Sequence, residues 1–296
     1  MSFQCLNPYV AVSLYKDKEG KNTLKLFSKT RLNYNLRDLK RTFGSDNVFV
    51  LPCGTCESCR RNKAEDWAVR CSLEAKEHLF NYFLTLTYDD YHLLKSSKVD
   101  LDKFFDRLEG KGHDRKFKYF ACQEFGELTN RKHYHIVLFC DFELDLRDPV
   151  KVGNFYQFKS SLIDKAWDLG LYTLSPFATN CARYVAKYTA KNSKLYMSRN
   201  LGRSYFDKHY EEIKKDHFRV YADFGNKFVH YVPQCFIKWF EQKEPGIAGD
   251  FVNFKKSLAH TVLAEKMRSM IVPHEEAVIA FDQALIKEKG QKRRLL

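Results

Sequence analysis

Apolar residues recur along this chain with two periods, one near 3.6 and one near 2. At spacings of three and four, Ala64, Trp67, Ala68, Cys71, Leu73, Ala75 and Leu79 mark an amphipathic helix over 61–79. The next run, 82–88, is rich in aromatics and threonine and predicts a strand ended by Asp89 and Asp90. A short helix comes next over 99–108, then strands over 117–124 and 134–139 joined by a loop with Gly126 and Asn130 in turn positions, which makes a hairpin. Helical periodicity over 155–169 stops at Gly170; a strand over 171–174 and a helix over 179–191 come after it. Apolar runs at 9–15 and 23–27 predict a small hairpin upstream. Downstream, 218–224 and 228–232 predict another around Gly225 and Asn226, and the last 50 residues read as helical.

The central order is strand, helix, strand, strand, helix, strand, helix. It suits an α+β fold, a ferredoxin-like or RRM-like antiparallel sheet with helices on one face, extended at both ends. Three regions are expected: a Cys-rich segment and helix over 1–80, a core over 81–200, and a C-terminal hairpin and helical extension over 201–296. No internal repeat of 20 to 50 residues is visible.

With 296 residues, 44% hydrophobic and 15% aromatic, the chain can bury a real core. It has no apolar run long enough for a bilayer span and no leader-like N-terminus, so a soluble, non-secreted protein without membrane partners is expected. Nine cysteines without an export signal point to thiols or thiolate ligands in a reducing compartment rather than to disulfides. The net charge of +13 says something about partners only where it is local. It is local over 169–206, which has no Asp or Glu but holds Arg183, Lys187, Lys191, Lys194, Arg199 and Arg203 among Tyr172, Phe177, Tyr184, Tyr188, Tyr196, Tyr205 and Phe206. Cations interleaved with rings suit single-stranded nucleic acid; a basic solvated face over an aromatic core is the plainer alternative.

Three clusters carry candidate chemistry. On a strand, His133 and His135 project to one face, and the partner strand ends in Glu124. A His, His, Glu set with open positions suits Mg2+ or Mn2+ in phosphate chemistry and would also bind zinc; Glu127 in the loop is a competing ligand. On a helix, Tyr184 and Tyr188 share a face one turn apart, each followed three residues later by a lysine, Lys187 and Lys191. A phenol needs nearby positive charge to become a nucleophile at neutral pH, and such lysines supply it. Third, Cys53, Cys56 and Cys59 have the spacing of a zinc knuckle lacking one ligand. Cys5 and Cys71 are candidates for the fourth, and Cys71 fits the apolar face of the adjoining helix.

Taken in order, Phe83-Leu-Thr-Leu-Thr87, His133-Tyr-His135 and Tyr184-Val-Ala-Lys-Tyr188 resemble the three motifs of HUH endonucleases, most closely the two-tyrosine replication initiators of microviruses. The cysteine signature with Trp67 and Arg70 is similar to the gokushovirus branch, where an early cysteine is also common, which favours Cys5. Two departures stand out: Lys132 where the family often has Pro, and Phe125 where it has Tyr. The resemblance implies an HUH nickase core over 81–200. It implies a divalent ion on His133, His135 and Glu124, structural zinc on Cys5, Cys53, Cys56 and Cys59, and attack by Tyr184 or Tyr188 on a scissile phosphate. Lys187 and Lys191 would stabilise the phenolate, while Arg183, Lys194, Arg199 and Arg203 would contact DNA. The implied partners are single-stranded and replicative-form origin DNA, host helicase and replication machinery, and the implied location is the host bacterial cytoplasm. Two rival readings are a single-tyrosine relaxase or transposase of the same superfamily, which the duplicated Tyr-x2-Lys unit argues against, and a non-enzymatic single-strand binder.

Overall fold

The computed structural model describes residues 5, 7–16, 22–28, 36–97, 99–126, 131–153, 155–177, 179–187, 194–223, 227–251 and 254. β1 (Tyr9–Lys16), β2 (Asn22–Ser28) and, after α1 (Leu36–Phe43), β3 (Val48–Leu51) form a small antiparallel sheet ordered β2-β1-β3. Then come α2 (Glu57–Ala75), β4 (Phe80–Tyr88), α3 (Asp90–Leu94), α4 (Asp100–Glu109), β5 (Phe117–Phe125), β6 (Lys132–Cys140), β7 (Arg147–Val152), β8 (Phe155–Lys159), α5 (Ser161–Ala166), β9 (Gly170–Pro176), α6 (Thr179–Lys187) and β10 (Leu195–Met197). α7 (Arg203–Lys208), α8 (Tyr210–Lys215), the hairpin β11 (Arg219–Asp223) and β12 (Lys227–Tyr231), and α9 (Gln234–Lys243) complete the described elements.

Seven antiparallel strands form the main sheet in the order β10-β5-β6-β4-β9-β8-β7. Period-2 alternation decides its two faces. Tyr82, Leu84, Leu86 and Tyr88 of β4 and Tyr134, Ile136 and Leu138 of β6 pack in one core cluster with Leu101, Phe104, Phe105 and Leu108 of α4 and Ile163 and Ala166 of α5. The opposite face carries Phe83, Thr85 and Thr87, whose register partners on β6 are Val137, His135 and His133.

That second face is where the expectation of helices on one side needs correction. Trp67 of α2 stacks on Phe120 of β5 at a ring-centroid distance of 4.8 Å, and Tyr184 of α6 meets β6, so α4 with α5 and α2 with α6 sit on opposite faces. The physical reason is that β6 is apolar on both sides: Tyr134 through Cys140, apart from His135, are fully buried, and both sides need cover. α2 is fastened by Arg70, which lies over Trp67 and donates from Nε to the Leu201 carbonyl at 2.6 Å. It is also fastened by the buried carboxylate of Glu74, which accepts from His78 Nε2 (2.9 Å), Lys118 Nζ (2.7 Å) and the Gly202 backbone N–H.

A second correction concerns 155–169, expected as one helix. Its first part is β8, paired with β7 through Val150–Gln157, Lys151–Tyr156 and Val152–Phe155, and the helix is confined to α5. Asp145 fixes that start by accepting from Ser160 Oγ at 2.6 Å and from the Ser161 N–H at 2.9 Å. β9 lies close beside β4 at Gly170 (φ +152°), where a Cβ would meet the Thr87 carbonyl oxygen and the Asp89 nitrogen.

The chain divides into two compact units, one reaching Glu212 and including Arg219–Pro233, the other made of Ile213–Phe218 and the residues from Gln234 onward. The Cys-rich segment and the expected core lie within the first. In the second, Phe218 packs edge-on to Phe240 and Phe251, with ring centroids 5.1 Å and 5.2 Å away. Most of the expected C-terminal helical region lies outside the described residues. Among the described residues no helix is long and apolar enough to cross a membrane.

Candidate functional site

The register of the central hairpin builds the site. Glu124 of β5 stands directly across from His133 of β6, and Cys122 across from His135, so both imidazoles and the carboxylate share one face at the end of the sheet. The His133 and His135 rings are 5.0 Å apart and nearly perpendicular. Glu124 Oε2 lies 3.0 Å from His135 Nε2 and 3.4 Å from His133 Nε2, and the three ligand atoms fall within 4.8 Å of one another.

The donor set fits a divalent cation. His133 Nδ1 sits 3.0 Å from the Arg131 carbonyl oxygen, which can only accept, so a neutral His133 carries its proton on Nδ1 and turns a lone pair from Nε2 toward Glu124. Two acceptors facing each other at 3.4 Å is an arrangement that a cation between them resolves. Burial, with His133 adding to it, pushes the His135 pKa down to about 4 against the opposing pull of Glu124, which keeps the ring neutral, as a ligand must be. The competing ligand Glu127 lies outside the described residues. Lys132 points to the other face, where it is buried with Nζ over the rings of Tyr88 and Tyr134, and burial lowers its pKa.

Of the two tyrosines, Tyr184 is described. Ala182, Val185 and Ala186 bury one face of α6, and Tyr184 stands off it, 42% exposed, with its ring edge against His135 at 5.1 Å and 90°. Phe83 touches both, stacked on His135 at 6.0 Å and 6° and edge-on to Tyr184 at 5.9 Å. The third and fourth partners at this centre, Phe83 and Thr85, were not singled out from the sequence as site residues. Their signal was there, because alternation puts 83, 85 and 87 opposite the apolar 82, 84, 86 and 88. Tyr188 and Lys191 lie outside the described residues, and of Lys187 and Arg183 only the helical backbone is described.

The remaining basic candidates are not gathered on one surface. Lys194 is exposed with Nζ over the Tyr196 ring, and Tyr196 packs against Tyr134 on the face away from the histidines. Arg199 is exposed, whereas Arg203 donates to Asp207 at 2.7 Å and lies over Phe206.

The cysteines form a second cluster, with Cys5, Cys53, Cys56 and Cys59 sulfurs all within 4.8 Å of one another. Cys56 Sγ is 3.8 Å from Cys5 Sγ, and Cys53 Sγ is 4.0 Å from Cys59 Sγ. Tetrahedral thiolates at about 2.3 Å from zinc have edges of about 3.8 Å, so the set fits that metal. The Cys56 N–H at 3.3 Å leads the hydrogen bonds that bring the Cys53 pKa to about 5, while burial pushes Cys59 up to about 12. Cys71, the alternative fourth ligand, is fully buried in the core and burial raises its pKa.

Comparison with known proteins gives one family. Residues 81–193 match the family of phage replication-associated proteins typified by ORF2. The chain is 32% identical over 244 residues to replication-associated protein ORF2 of Spiroplasma virus 4, covering 71% of this chain and 75% of that one. It is 28% identical over 223 residues to replication-associated protein VP4 of Bdellovibrio phage phiMH2K, covering 67% and 69%. It is 25% identical over 210 residues to replication-associated protein ORF4 of Chlamydia phage 1, covering 62% of this chain and 52% of that protein. No solved structure matches.

Proposed function

The chain belongs to the replication-associated protein ORF2 family, and from that membership and the centre on its sheet we propose that it initiates rolling-circle replication by nicking single-stranded origin DNA. The observation that supports this most is the edge contact of Tyr184 with His135, which brings a partly exposed phenol to a His, His, Glu set. The strand order β5-β6-β4-β9, with α4 and α5 as crossovers, supports the ferredoxin-like reading of the core.

Glu124, His133 and His135 hold Mg2+ or Mn2+ in this reading. A cation there offsets the charge that grows on the scissile phosphate and orients it. Tyr184 Oη attacks phosphorus, its proton passing to solvent. The P–O3′ bond breaks, and O3′ leaves with that electron pair and takes up a proton. The products are a free 3′ hydroxyl and a 5′ phosphotyrosine. Lys187 and Lys191 stabilise the phenolates, and Tyr188, one turn on, supplies the second nucleophile needed for the 3′ hydroxyl of a second cut to rejoin the first strand. Zinc on Cys5, Cys53, Cys56 and Cys59 braces the start of α2. Arg183, Lys194, Arg199 and Arg203 contribute to DNA contact, and the protein acts with host replication machinery in the bacterial cytoplasm.

Incubating the protein with an origin oligonucleotide and Mn2+ should yield an adduct that survives denaturing electrophoresis. Replacing both Tyr184 and Tyr188 by Phe should abolish it; an adduct persisting in that variant would contradict the reading.

A further inference from the structure

β4 carries the one sequence motif left without a chemical role, and its Phe83 and Thr85 both contact His135. Any role for them at a cation rests on the metal-centre reading above. The two imidazoles differ in what faces Nδ1. For His133 it is the Arg131 carbonyl, a fixed acceptor that also takes the Gly126 N–H at 2.9 Å. Arg131 is itself held, donating from Nη1 to the Tyr88 carbonyl at 2.8 Å and pairing with Asp90. For His135 it is the Thr85 hydroxyl at 3.0 Å, a group that can donate or accept.

That difference matters because His135 Nε2 lies 3.0 Å from the Glu124 carboxylate. Without a cation, the favourable arrangement puts the proton on Nε2, donated to Glu124, while Thr85 donates to Nδ1. A cation on the Nε2 lone pair requires the proton on Nδ1, where it needs an acceptor.

We infer that Thr85 is a positioning residue that lets His135 exchange its proton between ring nitrogens, its hydroxyl donating to Nδ1 in the metal-free protein and accepting from Nδ1–H when a divalent cation is bound. The exchange balances: one proton leaves Nε2, one arrives at Nδ1, and the imidazole stays neutral. A carbonyl at this place, like that facing His133, would hold only one of the two states. The register fixes the hydroxyl, since Thr85 pairs with His135 on one side and Thr173 on the other. Phe83, stacked parallel to the imidazole, keeps the ring plane while the proton moves.

The test uses the full chain, Thr85→Val and Thr85→Ser, with Mn2+ titrated by electron paramagnetic resonance and the His135 tautomer read from 15N shifts with and without Mg2+. Wild type should show Nε2–H without metal and Nδ1–H with it. Thr85→Val should bind Mn2+ about tenfold more weakly, the size typical of a lost partner behind a metal ligand. Thr85→Ser should bind like wild type. Equal Mn2+ affinity in wild type and a folded Thr85→Val, or a His135 tautomer unchanged by saturating Mg2+, would overturn the inference. Failure of wild type to bind Mn2+ at all would overturn the metal reading itself and this inference with it. Should Thr85→Val unfold, the wild-type tautomer measurement decides alone.

Discussion

Replacing Glu74 by glutamine removes the charge from a fully buried carboxylate that ties three parts of the chain together. Its partners are His78 just past α2's own C-terminal turn, Lys118 on β5, and the Gly202 N–H ahead of α7, and His78 continues to Asp141 at 2.7 Å. Breaking a buried ion pair costs about 3–5 kcal/mol. The expected loss here is smaller, about 2–3 kcal/mol, because Lys118 is 26% exposed and can turn to water, and glutamine still accepts from Gly202. For a chain of this size that corresponds to about 5–10 °C in Tm. The loss has a pH signature. Burial alone would raise the Glu74 pKa, but the bonds from His78, Lys118 and Gly202 outweigh it and hold the carboxyl below its ordinary range. Its contribution is therefore full above about pH 4.3 and is lost as the pH falls through the lowered folded value. For His78, burial opposes the charged form, yet Glu74 and Asp141 outweigh it and raise the pKa. That contribution is full below about pH 6.5 and fades as the pH rises through the raised value. The stability gap between wild type and Glu74→Gln, followed by thermal unfolding, should peak between about pH 4.5 and 6.5 and shrink on both sides. A gap that is flat from pH 3 to 9 would refute the network.

Three further outcomes are expected. Gly170→Ala should cost about 3 kcal/mol, since the new Cβ would come within 2.7 Å of the Tyr88 carbonyl carbon and meet backbone that cannot step aside; unchanged thermal unfolding would contradict the close approach of β9 to β4. Elemental analysis of purified protein should find zinc that Cys5→Ser removes and Cys71→Ser leaves in place, and the opposite pattern would reassign the fourth thiolate. Chelating that zinc should lower the melting temperature of wild type more than that of Cys5→Ser; equal shifts would separate the cluster from stability.

The strands that carry the site were readable because their alternation is clean. Over 82–88 every second residue is Tyr or Leu and is buried, and the same rule put His133 and His135 on one side before any pairing was known. Glu124 came from the hairpin, since the short loop leaves little choice of register. Two features were hidden. Over 155–159, Phe, Tyr and Phe at adjacent and alternate positions satisfy a helix and a strand equally, so the β7–β8 hairpin was absorbed into the helix behind it, although Pro149 and Gly153 are turn residues. Which face of the sheet a helix covers is a matter of crossover geometry, and no periodicity within α2 or α6 reports it. The contact of Phe83 with both His135 and Tyr184 needs that geometry too.

The most direct measurement is peptide mapping by mass spectrometry of the covalent product formed with an origin oligonucleotide and Mn2+. A nucleotide remnant on Tyr184 or Tyr188, absent when His133 and His135 are both replaced by Ala, is the expected result. A remnant on any other residue, or one that forms just as well without the two imidazoles, would mean that the phenol and the His, His, Glu set do not work as one centre.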